Sequence, residues 1–79
     1  MQSVDWHGIG RRIAGRRVER SWTQVELAKH AHCNVRSIVK AERGAHQRMA
    51  LPLLVGISEA LGTDLNYLLY GEKHGWTIY

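Results

Sequence analysis

The stretch Thr23–Gly44, TQVELAKHAHCNVRSIVKAERG, packs helix-start and helix-stop signals so closely that only two short helices and a turn fit it. Thr23 opens a capping box: its Oγ can accept from the amide three residues on, while Glu26 reaches back to the Thr23 amide. Leu27, Ala28 and Ala31 then recur at the spacing of one buried helical stripe. Asn34, a favoured N-cap, starts the next helix, which turns Ile38 and Ala41 inward. Gly44 suits the left-handed position that ends it. Two helices of under ten residues, separated by three or four, have the spacing of a helix-turn-helix. The second helix of such a pair can enter the DNA major groove by its N-terminal end.

The flanks read as helix too. A first helix runs from about Asp5 to Arg20, with Ile9, Ile13 and Ala14 on one face and Arg11, Arg12, Arg16 and Arg20 elsewhere. After the loop AHQRM, a fourth helix covers about Ala50 to Leu61 and buries Leu54, Ile57 and Leu61. Its Pro52 is tolerated because first-turn amides have no intrahelical partner. Gly62 closes that helix, and Asp64 can cap a fifth from Leu65 to about Tyr70. No strand-like alternation, repeat or linker interrupts the pattern. The expectation is an all-α, five-helix bundle formed by residues 1–71, with residues 72–79 as a C-terminal tail.

At 79 residues the chain makes one small domain with a thin core. One cysteine excludes an intrachain disulfide, and no apolar run approaches a membrane span or a signal-peptide core. These features point to a soluble cytoplasmic protein. Charge is uneven: residues 1–48 hold ten of the eleven Lys and Arg against four acids, whereas residues 49–79 hold one Lys and three acids. The basic half is expected to face a polyanion and the acidic half to do something else.

The segment TQVELAKHAHCNVRSIVKAERG resembles the helix-turn-helix of the phage repressor and Cro family, whose members commonly read T-Q-x-E-L-A, a turn, S-x-x-I, then E-x-G. The likeness extends from Ile9 to about Gly71, through ISEALGTDLNYLLYG. It implies a lambda-repressor-like fold and sequence-specific binding of double-stranded DNA by a transcription regulator, and it assigns roles residue by residue. Gln24 matches the glutamine that binds a phosphate and braces the reading helix. Asn34, Val35, Arg36, Val39 and Lys40 fall where the family faces the groove. Among them, Asn34 joins Gln24, Ser37, Arg43 and Arg48 as candidate phosphate contacts. Arg36 suits guanine O6 and N7 through its fork, and Lys40 can do the same or contact phosphate. Val35 and Val39 can meet only thymine methyls, and Val39 can equally pack inward. Ser37 can bond a phosphate or back-bond within its helix. His46 and Gln47 serve equally as loop residues. Arg17 and Glu42 match a structural ion pair between the first and third helices. The sequence departs from the pattern at three places. His32 stands where Gly is frequent, Arg16 stands where a core leucine is common, and the loop before the fourth helix is about one residue longer.

His30, His32 and Cys33 fall within four positions and raise the alternative of a metal or nucleophile site. A closed zinc site needs four ligands at spacings such as C-x₂₋₄-C and H-x₃₋₅-H, which these residues with His7, His46 and His74 do not supply. A catalytic Cys/His pair would also need an orienting group and a pocket. Cys33 fits a small apolar turn position instead. Neither an enzyme nor a cofactor is expected.

One helix-turn-helix covers a half-site, so the resemblance implies a homodimer on a pseudo-palindromic operator. Leu65, Leu68, Leu69, Trp76 and Ile78 are the candidate interface, although Trp76 could equally fold back on its own core. With no sensing domain expected after residue 71, regulation would act through concentration, partner proteins or DNA architecture. An antitoxin that neutralises a toxin and autoregulates its operon is the alternative. Non-specific architectural binding is a third reading, and a metalloprotein the last.

Overall fold

Five helices form where the caps and breakers place them in the computed structural model, which describes residues 4–45 and 49–71. They are α1 (Trp6–Glu19), α2 (Gln24–Ala31), α3 (Val35–Arg43), α4 (Leu51–Leu61) and α5 (Leu65–Tyr70). The orphan amides of four helix starts are met by side chains, each helix using the residue just before it. Asp5 accepts from Gly8 N at 3.0 Å. Thr23 and Glu26 close both halves of the capping box, at 3.1 and 2.7 Å. Asn34 accepts from Ser37 N at 3.0 Å, and Asp64 from Asn66 N at 3.0 Å. The start of α4 has no side-chain cap and carries Pro52 in its first turn instead. At the other ends, Gly44 and Gly62 take the left-handed conformation, with φ of 71° and 61°.

His32 does the same without being glycine, at φ 58°. The turn between α2 and α3 therefore keeps its usual backbone geometry, and histidine accepts it at a modest steric cost. Ser21, between α1 and α2, is also left-handed.

The core is one cluster drawn from all five helices: Ile9 and Ile13, Leu27, Ile38, Ile57 and Leu61, and Leu68 are sealed from solvent. Helix α1 packs on α3 and α5, while α2 packs on α3 and α4, so α3 is held from two sides. The α1–α3 crossing is tight at Gly10. A Cβ there would lie 2.5 Å from the carbonyl oxygens of both Ala41 and Glu42, so only glycine lets the two backbones approach this closely.

Several arginines of the basic half are engaged within the molecule. Arg12 donates from Nε to Leu68 O at 2.9 Å and from Nη2 to Leu69 O at 3.0 Å, capping the end of α5. Arg20 donates to Leu61 O at the end of α4. Arg16 pairs with Glu19 at 3.0 Å and lays its guanidinium over the Tyr67 ring, 4.3 Å from the centroid. A cation on an aromatic face thus occupies the place where the resemblance led us to expect leucine. Last-turn carbonyls have no helical partner, and a long fork-shaped donor from a neighbouring helix satisfies them. No helix among the described residues is long and apolar enough to cross a membrane.

Candidate nucleic-acid interface

What positions α3 is a polar lock on its inner side. Glu42, with a side chain 8% exposed, accepts from Arg17 Nε at 2.6 Å and from Arg17 Nη2 at 3.1 Å. Gln24 Nε2 donates to the same carboxylate at 3.1 Å. Arg17 uses its remaining arm on Trp22 O at 2.7 Å, at the entry to α2. The expected pair between the first and third helices is present, and it also includes the first residue of α2. One carboxylate therefore fixes α1, α2 and α3 to one another. Gln24 keeps a second Nε2 proton and a backbone amide at a helix N-terminus, both suited to a phosphate oxygen.

The outer side of α3 is left to solvent. Val35, Arg36, Lys40 and Arg43 are exposed, Val39 and Ser37 are half-buried, and Ile38 and Ala41 face the core. Val35, at the first position of α3, is 38% exposed. Three cations and an aliphatic side chain thus stand clear of the core on one short helix. Asn34, at its start, has its oxygen committed to the cap, and Ser37 Oγ also donates to that oxygen at 3.3 Å. Exposed Lys29, on α2, adds to the positive field of this end.

Of the other candidate phosphate contacts, Arg43 stands at the exposed end of α3. Arg48, with His46 and Gln47, lies outside the described residues, as do Trp76, Ile78 and the rest of the tail. One member of the candidate dimer interface is displaced. Leu68 is 0% exposed in the chain's own core, so it has no surface to give a partner. A six-residue helix of Leu-Asn-Tyr-Leu-Leu-Tyr must bury one leucine to stay attached, and the packing of α5 on α1 selects Leu68. Leu65 and Leu69 are half-buried against that core.

The His/Cys stretch resolves into packing. His30 stacks on Trp22 with centroids 4.1 Å apart and planes 6° from parallel, and Arg20 covers Trp22 at 5.4 Å. Cys33 is half-buried against the core, and desolvation raises its thiol pKa, the reverse of what a nucleophile or metal ligand needs. Among the described residues, no three His, Cys, Asp or Glu side chains are grouped to hold a metal ion. A cavity of about 660 Å³ is lined by Arg16, Arg20, Asp64, Tyr67 and their neighbours and includes no residue of α2 or α3.

Sequence reasoning missed the arginine caps and the Gln24–Glu42 bond. Both depend on which helices become neighbours. The only local signal was an excess of arginines on the non-core faces of the first helix.

A family model described as helix-turn-helix matches residues 13–68. The N-terminal DNA-binding domain of SinR from Bacillus subtilis is 29% identical, covers 86% of this chain and 97% of its own, and superposes with a TM-score of 0.76. The P22 c2 repressor, solved with a synthetic operator, is 28% identical over 91% of this chain and 100% of its own, with a TM-score of 0.75. The restriction-modification controller C.AhdI from Aeromonas hydrophila shares the fold with a TM-score of 0.76 at 22% identity, covering 82% of this chain and 97% of its own. No curated protein sequence matches.

Proposed function

The chain belongs to the helix-turn-helix family whose model spans residues 13–68, and from that premise we propose how it works as a DNA-binding transcription regulator. It acts as a repressor that reads a pseudo-palindromic operator as a homodimer. One observation carries this reading: the exposed face of α3, with Val35, Arg36 and Lys40 clear of the core, is held rigidly by the Arg17–Glu42–Gln24 lock. Rigid presentation matters because base readout depends on the direction of a few hydrogen bonds. The likeness to the P22 c2 repressor in its operator complex and to the SinR DNA-binding domain supports the DNA partner. These relatives are regulators, and the antitoxin alternative is not favoured.

In this scheme α3 lies in the major groove and α2 crosses the backbone. Arg36 engages guanine O6 and N7, Lys40 a second guanine or a phosphate, and Val35 and Val39 the thymine methyls. Gln24 and Arg43, with Arg48 and the amide nitrogen of the helix-start residue Asn34, hold phosphates and set the register, while Ser37 gives its one hydroxyl proton to Asn34 and serves the start of α3. Arg17 and Glu42 stay within the protein and position α3. Leu65 and Leu69, with Trp76 and Ile78, are the surfaces proposed to join the protomers.

Selection from a randomised duplex pool at near-physiological salt tests this. An enriched inverted repeat, with half-site centres about 10–10.5 bp apart, is expected. A single unrepeated motif would remove the symmetric dimer. No enrichment at all would overturn sequence-specific reading.

A further inference from the structure

Resting on that reading, we propose that Arg11 of α1 is a further DNA contact. It grips a backbone phosphate beside the C-terminal end of α3, next to Arg43, and carries no base preference.

The other arginines in and just after α1 are spent inside the molecule. Arg12 and Arg20 donate to the last-turn carbonyls of α5 and α4, Arg16 lies over Tyr67, and Arg17 holds Glu42. Arg11 is exposed and, among the described residues, makes no hydrogen bond, ion pair or ring contact. Its neighbours three and four positions away on the helix are His7, Gly8, Ala14 and Gly15, so no acid of α1 stands beside it to pair with. Asp5 turns its carboxylate to the start of α1, and Glu42 is held in the lock.

The fold sets this cation beside the end of the reading helix. A Cβ on Gly10 would lie 2.5 Å from the carbonyl oxygens of Ala41 and Glu42, and one on Gly44 would lie 2.9 Å from His7 Cα and 2.7 Å from His7 Nδ1. The first turns of α1 therefore lie directly against the last turn of α3. His7 and Arg11 are four apart, so they share one edge of α1, and His7 brings that edge to Gly44. Arg43, also exposed, is the last residue of α3. The nine residues of α3 rise about 13.5 Å, whereas the major groove is about 8.5 Å deep. With its N-terminal residues on the base edges, α3 brings its other end out to the rim, where the phosphates run. A guanidinium there can meet two phosphate oxygens through parallel N–H donors. Arg11 and Arg43 thus approach the backbone from two helices that are packed together at that point.

The test measures binding of the full chain to the best duplex from the selection across a range of salt, for the parent, Arg11→Gln and Arg11→Lys. Each phosphate contact contributes about 0.9 to the slope of log K against log salt. Arg11→Gln should therefore lower the slope by about 0.9, so that a rise from about 50 to about 200 mM salt weakens it about 3.5-fold less than the parent. Arg11→Lys keeps the charge and should keep the slope. Selection with Arg11→Gln should return the parent's operator, because a phosphate carries no sequence information. Single uncharged methylphosphonates through one half-site then locate the contact. At one phosphate the substitution should weaken the parent but leave Arg11→Gln unaffected, since that variant has no contact there to lose. An unchanged salt slope, a changed operator, or methylphosphonates that weaken both proteins alike at every phosphate overturns the inference while leaving sequence-specific reading intact. If the parent binds no duplex at all, the proposed function fails and the inference with it.

Discussion

Replacing Glu42 by alanine tests how much the lock contributes. Three hydrogen bonds converge on this carboxylate, and its side chain is only 8% exposed, so water cannot replace them. Removing one member of a buried ion pair strands the other and costs about 3–5 kcal/mol. Arg17 is 16% exposed and keeps its bond to Trp22 O, which points to the lower end, about 3 kcal/mol. A domain of this size has roughly 4–12 kcal/mol in total, so the variant should be folded but marginal. Its melting temperature should fall by roughly 12–24 °C. Urea denaturation followed by tryptophan fluorescence measures the loss directly. A loss below about 1 kcal/mol would refute the reasoning, because that is how a solvent-screened surface pair behaves.

The double variant Arg17→Met/Glu42→Leu separates stability from positioning. Exchanging both charges for apolar groups of similar volume is near neutral for a buried pair, so most of the lost stability should return. Gln24 would still lack its acceptor. Operator affinity should therefore stay depressed in a protein as stable as the parent. Recovery of both would mean that the lock only stabilises and does not position the reading helix.

Other outcomes follow from single contacts. Gly10→Ala gains about 1 kcal/mol of helix propensity. It nevertheless places a Cβ 2.5 Å from two backbone carbonyls that cannot rotate away, so thermal melts should show net destabilisation. Arg36→Ala should cost about 1–3 kcal/mol on the best operator and relax one base position, whereas equal weakening on all sequences would make it a phosphate contact. Gln24→Ala should weaken binding to every duplex alike, and a loss confined to one base pair would contradict a phosphate role. Cys33 is held protonated by burial, so iodoacetamide at mildly alkaline pH should alkylate the native chain more slowly than the urea-unfolded one. Because the folded thiol pKa is raised, its contribution to stability is full below the unfolded pKa and fades as pH rises through the folded one. Alkylation faster in the native state would show a reactive thiol instead.

The helices were legible in the chain because their signals are local. Asp5, Thr23, Asn34 and Asp64 can be seen as caps in the sequence, since an N-cap oxygen reaches only two or three residues along. Gly44, Gly62 and the periodic Ile and Leu positions are visible for the same reason. Which charges would be spent inside the molecule was not legible. Arg12 reaches a carbonyl 56 residues away and Arg20 one 41 residues away, so composition counted them as a basic surface although the fold uses them as helix caps. Leu68 and Leu69 are adjacent and chemically alike, and only the packing of α5 against α1 decides that Leu68 enters the core. The residue types facing outward on α3 could be listed from the sequence. That Glu42 is turned inward and held by two other helices was decided by tertiary structure, because a hydrogen-bonding group's availability depends on every neighbour that can reach it.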